Sequence, residues 1–231
     1  MSKSVRYEAK MISQVAAYPR LRMKLRLDRA RIHELYPPRI VQSLYFDTWH
    51  GRALEENLAG VSHREKVRFR WYGPERTGVR GVLERKVREN MLGWKGLLRI
   101  DEALAIEGRP RTVFARDVFR HLTAEWNDVR ASALLPVQWI SYEREYYSAG
   151  RVRITIDRKL RTWNQRWRAT LSSRFRTQTP DVMIVEAKCA EEHYAELQEL
   201  LARFPMRVDR CSKFVYASRP RDGAQVSRLP V

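Results

Sequence analysis

The sequence predicts an α+β fold: an antiparallel β-barrel whose polar strand faces line a central tunnel, with helices packed outside. Three observations predict it. At least six segments alternate apolar residues with Arg, Lys or Glu, the period-two signature of strands with one buried and one polar face. A Glu-x-Lys pair recurs on three widely separated segments, at Glu8/Lys10, Glu84/Lys86 and Glu186/Lys188. Between the strand groups, apolar residues return at helical spacing. Cations gathered on neighbouring strands repel unless carboxylates are interleaved or an anion is bound, so such a lumen suits a polyanion.

The first element, Val5 to Ile12, places Arg6, Glu8 and Lys10 on one face and Tyr7, Ala9 and Met11 on the other. Ser13 is positioned to cap a helix, and Leu21, Leu25, Ile32 and Leu35 predict one or two basic amphipathic helices up to Leu35, ended by Pro37-Pro38. Ile40 to Asp47 is rich in strand formers, and Gly51 to Gly60 reads as a short helix or loop. The stretch Arg64 to Arg88 has the clearest pattern. Lys66, Arg68 and Arg70 share one face against Val67, Phe69 and Trp71, and Glu84, Lys86 and Arg88 share one face against Leu83 and Val87, with Arg85 interrupting the apolar side. Asn90 to Gly96 reads as a turn that offers a further cation in Lys95. Arg99 to Arg130 reads as a helical pair broken around Gly108-Arg109-Pro110, with His121 a packing residue rather than a metal ligand.

Val137 to Tyr147, a Ser148-Ala149-Gly150 turn, and Arg151 to Asp157 predict a β-hairpin that again sets Tyr142 and Arg144, and Arg153, Thr155 and Asp157, on shared faces. Arg158 to Pro180 reads as a loop with a short strand. Val182 to Lys188 is a strand, Glu191 to Phe204 an amphipathic helix, and Arg210 to Tyr216 a last basic strand. The tail after Ser218 lacks a core pattern and is expected to be disordered.

With 45 Lys+Arg against 27 Asp+Glu, the 231-residue chain carries a formal charge of +18, which calls for an anionic partner. Cys189 and Cys211 have neither CxxC nor zinc spacing, which fits a reducing compartment. The longest apolar run, Ala131 to Ile140, is about half the ~20 residues of a membrane span, and the N-terminal region is too charged for a secretion signal. These features predict a soluble, cytoplasmic protein. The charge and seven Trp keep nonspecific nucleic-acid binding open, but no finger, RNP-like or helix-turn-helix pattern supports a specific one.

Several motifs occur in an order that resembles the VTC domain: Glu8-Ala9-Lys10, Ser43-Leu44-Tyr45-Phe46-Asp47, Lys66 to Gly73, Glu84-Arg85-Lys86, Tyr142-Glu143-Arg144, Arg153 to Asp157, Glu186-Ala187-Lys188 and Ser212-Lys213-Phe214. That domain is the polyphosphate polymerase module of the triphosphate tunnel metalloenzymes, in the CYTH-like superfamily. The resemblance spans residues 4–218 and leaves 219–231 as a tail. It implies the triphosphate tunnel fold, Mn2+ or Mg2+ as cofactor, and ATP and inorganic polyphosphate as partners. Carried over by motif, Arg68, Arg70, Lys86, Arg144 and Arg153 would act on the phosphates. Lys10, Tyr142, Lys188, Ser212 and Lys213 would contact substrate, Glu186 would hold the metal, and Glu8 would be a lumen neighbour. Arg210 stands near the position of a further family lysine. The implied reaction passes the ATP γ-phosphate to a growing polyphosphate chain. With water as nucleophile the same site would hydrolyse triphosphate or polyphosphate, with Glu8 a candidate base, and without turnover it would only bind polyphosphate.

Overall fold

The computed structural model describes residues 6–90, 92–209 and 211–218. Eight strands among these residues form one antiparallel sheet: β1 (Arg6–Gln14), β2 (His33–Asp47), β3 (His63–Tyr72), β4 (Val79–Glu89), β5 (Leu92–Leu104), β6 (Leu135–Ala149), β7 (Val152–Asn164) and β8 (Val182–Ala190), in the order β1-β8-β7-β6-β2-β3-β4-β5. Among the described residues six α-helices accompany them: α1 (Tyr18–Leu27), α2 (Arg52–Ala59), α3 (Arg111–Phe119), α4 (Asn127–Ala131), α5 (Tyr194–Ala202) and α6 (Lys213–Ser218).

The sheet is strongly curled. Strands β1 and β4 lie six places apart in the strand order, which in a flat sheet would separate them by about 29 Å. Yet Glu8 on β1 and Lys86 on β4 approach to 3.9 Å. The edge strands β1 and β5 do not pair with each other, so the tunnel wall is a barrel left open along one seam.

Alternation along the strands divides the apolar residues among three clusters. On the outer face of β2 to β6, Phe69, Trp71, Leu83 and Trp139 pack with Phe114 and Val118 of α3 and Val129 of α4. On the outer face of β1, β8 and β7, Met11, Val185 and Ile154 pack with Leu21 and Leu25 of α1 and Leu197 and Leu200 of α5. Each such fully buried side chain contributes about 1.5–3 kcal/mol, so these outer layers hold the sheet while its polar face stays inward. The third cluster is internal: Val41, Tyr45, Ile140, Tyr142 and Leu160 surround Phe214 and Ala217 of α6. Phe214 stacks on Tyr45 with ring centroids 4.9 Å apart, so α6 is a plug on the concave side.

Several elements depart from the sequence reading. Ser13 caps nothing; it lies in β1 opposite Met183, and a 3-10 turn at Val15–Ala17 leads into α1, which has Pro19 in its first turn. No second helix follows α1, because β2 begins at His33 and absorbs Pro37-Pro38 as an irregularity between the pairs Tyr36/Tyr146 and Arg39/Arg144. The 51–60 segment is helical, bounded by Gly51 and Gly60 in the left-handed region at φ 86° and 70°. The turn expected at Asn90 to Gly96 is shorter than predicted, and β5 occupies Leu92–Leu104 where the helical pair was expected to begin. That strand's burial alternates weakly, since much of its inward face is open at the seam. The hairpin's return strand continues past Asp157 to Asn164, with Lys159 at φ 54° and a register shift between Ser141 and Glu143. The final basic strand is instead the helix α6, while Arg210 and the expected disordered tail lie outside the described residues.

Arg85, the apparent fault in the apolar face of β4, is an outer-face tie. It meets Glu65 at 2.6 Å, donates to Asp128 of α4 at 2.9 Å, and lies 4.9 Å from the Trp94 ring centroid. His121 likewise packs at the surface, 3.0 Å from Glu102. Among the described residues no helix is long and apolar enough to cross a membrane.

Candidate functional site

The lumen is built from strand registers that set charges opposite one another. Across β1 and β8, Glu8 faces Lys188 and Lys10 faces Glu186, so two Glu-x-Lys strands running antiparallel form a checkerboard. Arg68 faces Glu84 across β3 and β4. The pattern then breaks: Lys66 faces Lys86, and Lys86 faces Lys95, placing three ammonium groups in a row across β3, β4 and β5. Like charges directly opposite are unfavourable on a sheet, so this row favours an anion.

On the β3–β4 wall, Glu84 is the hub. It accepts from Arg68 Nε at 2.9 Å and pairs with Arg70 and Lys95, each at 3.1 Å, while Arg68 also donates to the Tyr45 hydroxyl at 2.9 Å. Burial pushes the Glu84 carboxyl up, but Arg68, Arg70 and Lys95 outweigh it and bring the pKa to about 2. Lys66 is on the same wall and donates to Ser212 Oγ at 3.0 Å. Burial first, then Lys10 and Lys86, lower its pKa to about 7.

On the opposite wall, Lys213 is buried between Asp157 at 2.6 Å and Glu186 at 3.0 Å. Arg144 grips Asp157 with two bonds of 2.6 and 2.7 Å, and Lys188 reaches the second Glu186 oxygen at 2.9 Å. Burial disfavours the charged Glu186, yet Lys213, Lys188 and Lys10 hold its carboxyl well below the usual range. Glu8 is the remaining carboxylate, contacted by Lys10 at 3.1 Å, Lys188 at 3.5 Å and Lys86 at 3.9 Å; burial opposes these lysines, which lower its pKa on balance.

Cys211-Ser212-Lys213 crosses between the walls. Lys10 of β1 donates to the Cys211 carbonyl at 3.2 Å, Lys66 of β3 holds Ser212, and Lys213 joins β7 to β8. This strap links walls that the strand ladder leaves open, and it leads directly into the plug α6.

Of the residues singled out in the sequence, Lys10, Arg68, Arg70, Lys86, Tyr142, Arg144, Glu186, Lys188, Ser212 and Lys213 converge on this space. Arg153 stands apart. It is exposed, opposite Lys188 in register and without a carboxylate partner among the described residues, on the strand face shared with Thr155 and Asp157. Lys66, Glu84 and Asp157 are central to the geometry although no site role was assigned to them; each lies two residues from an assigned cation or on a face already recognised as polar. Tyr45 and Ser43 carried no such signal, since their inward direction depends on the curl. Ser43 Oγ, Arg70 Nε, Tyr142 OH and Thr155 Oγ1 are buried without a hydrogen-bond partner in the protein, and all four belong to lumen-facing strand positions. Such a set of donors complements phosphate oxygens.

The model of the family described as VTC domain matches residues 5–219. The chain belongs to the VTC domain family. No curated protein matches the sequence. Among solved structures, this VTC domain is similar to a proposed adenylate cyclase from Bacillus halodurans, at 13% identity and TM-score 0.54, covering 92% of this chain and 96% of that one. It is also similar to a Hippeastrum protein described as a proposed adenylyl cyclase with a dominant triphosphatase activity, at 16% identity and TM-score 0.53, covering 91% and 93%. At these identities the likeness establishes the triphosphate tunnel fold.

The carboxylates of this VTC domain also bear on a divalent ion. No group of three or more His, Cys, Asp or Glu suited to a metal occurs among the described residues. Glu186 and Glu8, both touched by the Lys188 ammonium, instead fit the sparse protein ligation of Mg2+-like ions, which use one or two carboxylates and complete their shell with substrate phosphates and water.

Proposed function

We propose that this VTC domain elongates inorganic polyphosphate, transferring the γ-phosphate of ATP to the end of a chain held in the lumen. One observation carries this reading. Among the described residues, nine lumenal cations (Lys10, Lys66, Arg68, Arg70, Lys86, Lys95, Arg144, Lys188 and Lys213) stand against four carboxylates (Glu8, Glu84, Asp157 and Glu186). A linear polyanion neutralises such an excess along its length, whereas a single phosphate does not.

Each residue then has a task. Arg68 and Arg70, oriented by Glu84, and Arg144, oriented by Asp157, present guanidinium groups to phosphate oxygens and stabilise charge on the transferred group. Lys86, Lys10, Lys188 and Lys213 neutralise the triphosphate and fix its register. Tyr142 and Ser212 supply hydroxyl contacts, and Arg153 meets the chain where the lumen opens. Mn2+ or Mg2+, held by Glu186 with Glu8 beside it, would supply further charge neutralisation on the phosphates.

Hydrolysis is the competing reaction in the same lumen. It calls on a carboxylate such as Glu8 to activate water, and the lysines that lower the Glu8 pKa make it a weak base. A phosphate nucleophile is already ionised and needs no base, so the electrostatics favour transfer to phosphate. Incubation with ATP and Mn2+, with long-chain polyphosphate and free phosphate both assayed, tests this. Polymer is the expected product; phosphate release alone would establish a hydrolase, and neither product would leave a polyphosphate-binding protein.

A further inference from the structure

Helix α1 lies outside the lumen and carries a surface that phosphate transfer does not use. Leu21 and Leu25 fix its inner side against the sheet. Met23 and Leu27, four residues apart and directed away from that side, are 64% and 77% exposed. Arg20, Arg22 and Arg26 share the helix with them and Arg29 and Arg31 follow in the turn, all exposed and all without a carboxylate ion pair among the described residues. The one acidic residue of the segment, Asp28, is buried and already committed to Lys24 at 3.5 Å and Arg203 at 3.2 Å. Two carboxylates face the helix: Glu34 lines with Arg22 and Arg26 a hollow of about 90 Å³, and Glu145 accepts from the Tyr18 hydroxyl of α1 at 2.8 Å and from Arg158 at 2.8 Å.

Five arginines without carboxylate partners, of which Arg22 lies 6.0 Å from the Tyr18 ring centroid, beside two protruding aliphatic side chains match one chemistry better than others. A nucleic-acid backbone would use the arginines, but single-strand recognition adds aromatic platforms, and the outward face of α1 has none. An anionic bilayer uses both: headgroups pair with the arginines, and Met23 and Leu27 enter the boundary with the acyl chains. We infer that α1 docks this domain onto an anionic lipid surface, peripherally and with the helix lying in the interface plane.

The whole chain is tested by co-sedimentation with phosphatidylcholine vesicles, alone or containing about a quarter phosphatidylglycerol, a composition that gives the surface potential such arginines sense. Binding is expected only to the anionic vesicles. Each Arg→Gln change at Arg22 or Arg26 is expected to weaken it about fivefold, and Met23→Ser with Leu27→Ser at least about tenfold. All variants should keep the wild-type melting temperature and turnover. Absence of binding to anionic vesicles overturns the inference. So does binding that survives Met23→Ser with Leu27→Ser, or that duplex DNA displaces through the same arginines, since either outcome marks a general polyanion surface.

Discussion

At the scale of single residues, the site depends on cations kept charged and oriented by a few carboxylates. Removing one charge-assisted phosphate contact from such a site costs about 3 kcal/mol of transition-state stabilisation, roughly a hundredfold in rate. Arg68→Ala and Lys86→Ala should each lose at least that much turnover, measured by polymer yield, while keeping a native circular dichroism spectrum. Glu186→Gln keeps the side-chain shape but removes the charge that draws a divalent ion; its turnover should fall similarly and lose its response to Mn2+ concentration. Lys66 gives the site a pH signature. Its pKa of about 7 lies below that of a free lysine, so between those values the unfolded chain binds the proton and the folded one does not. The Lys66 contribution therefore makes the ligand-free fold more stable as pH rises through 7 toward the free-lysine value. A bound polyanion favours protonated Lys66, so polyphosphate affinity should fall over the same rise. Titration calorimetry at several pH values should show proton uptake on binding near neutral pH, diminished in Lys66→Met.

At the scale of elements, the C-terminal segment does two jobs. Its strap joins walls that β1 and β5 leave unpaired, and α6 fills the concave side with Phe214. That ring is 1% exposed and stacked on Tyr45. Phe214→Ala should cost about 3–5 kcal/mol in urea denaturation, the usual range for emptying a buried aromatic site. A loss below about 1 kcal/mol would mean that α6 is not held in the interior. Lys159 adopts a left-handed backbone at φ 54°, a conformation costing a non-glycine residue about 1 kcal/mol, and its bond to Glu143 is solvent-exposed. Lys159→Gly should accordingly leave stability unchanged or raise it slightly.

At the scale of the whole molecule, the +18 charge and the lumenal excess of cations make the fold hold its own repulsion until an anion enters. Tripolyphosphate at about a hundred times its dissociation constant should stabilise the folded state by about 2.7 kcal/mol, visible as a raised melting temperature. The rise should be much smaller in Arg68→Ala and Lys86→Ala. It should also shrink with added salt, because the charges near the open seam are screened over about 8–10 Å at moderate ionic strength. Equal ligand shifts in wild type and both variants would move the phosphate site away from the lumen.

The strands of the basic wall were legible because their side chains alternate, most clearly on β3: Lys66, Arg68 and Arg70 need only period two to be placed together against Val67, Phe69 and Trp71. The same local rule exposed the three Glu-x-Lys pairs and, with the motif order, the family. It failed where burial does not follow local period. β5 borders the seam and alternates weakly, β2 carries two prolines through an irregular stretch, and α6 has a basic-aromatic composition that serves a strand equally well in isolation. The partners also lay beyond reach. That Glu84 gathers Arg68, Arg70 and Lys95, or that Lys213 lies between Asp157 and Glu186, depends on antiparallel register and on curl. Those are set by contacts between residues far apart in the chain, so only the tertiary structure decided which carboxylate orients which cation.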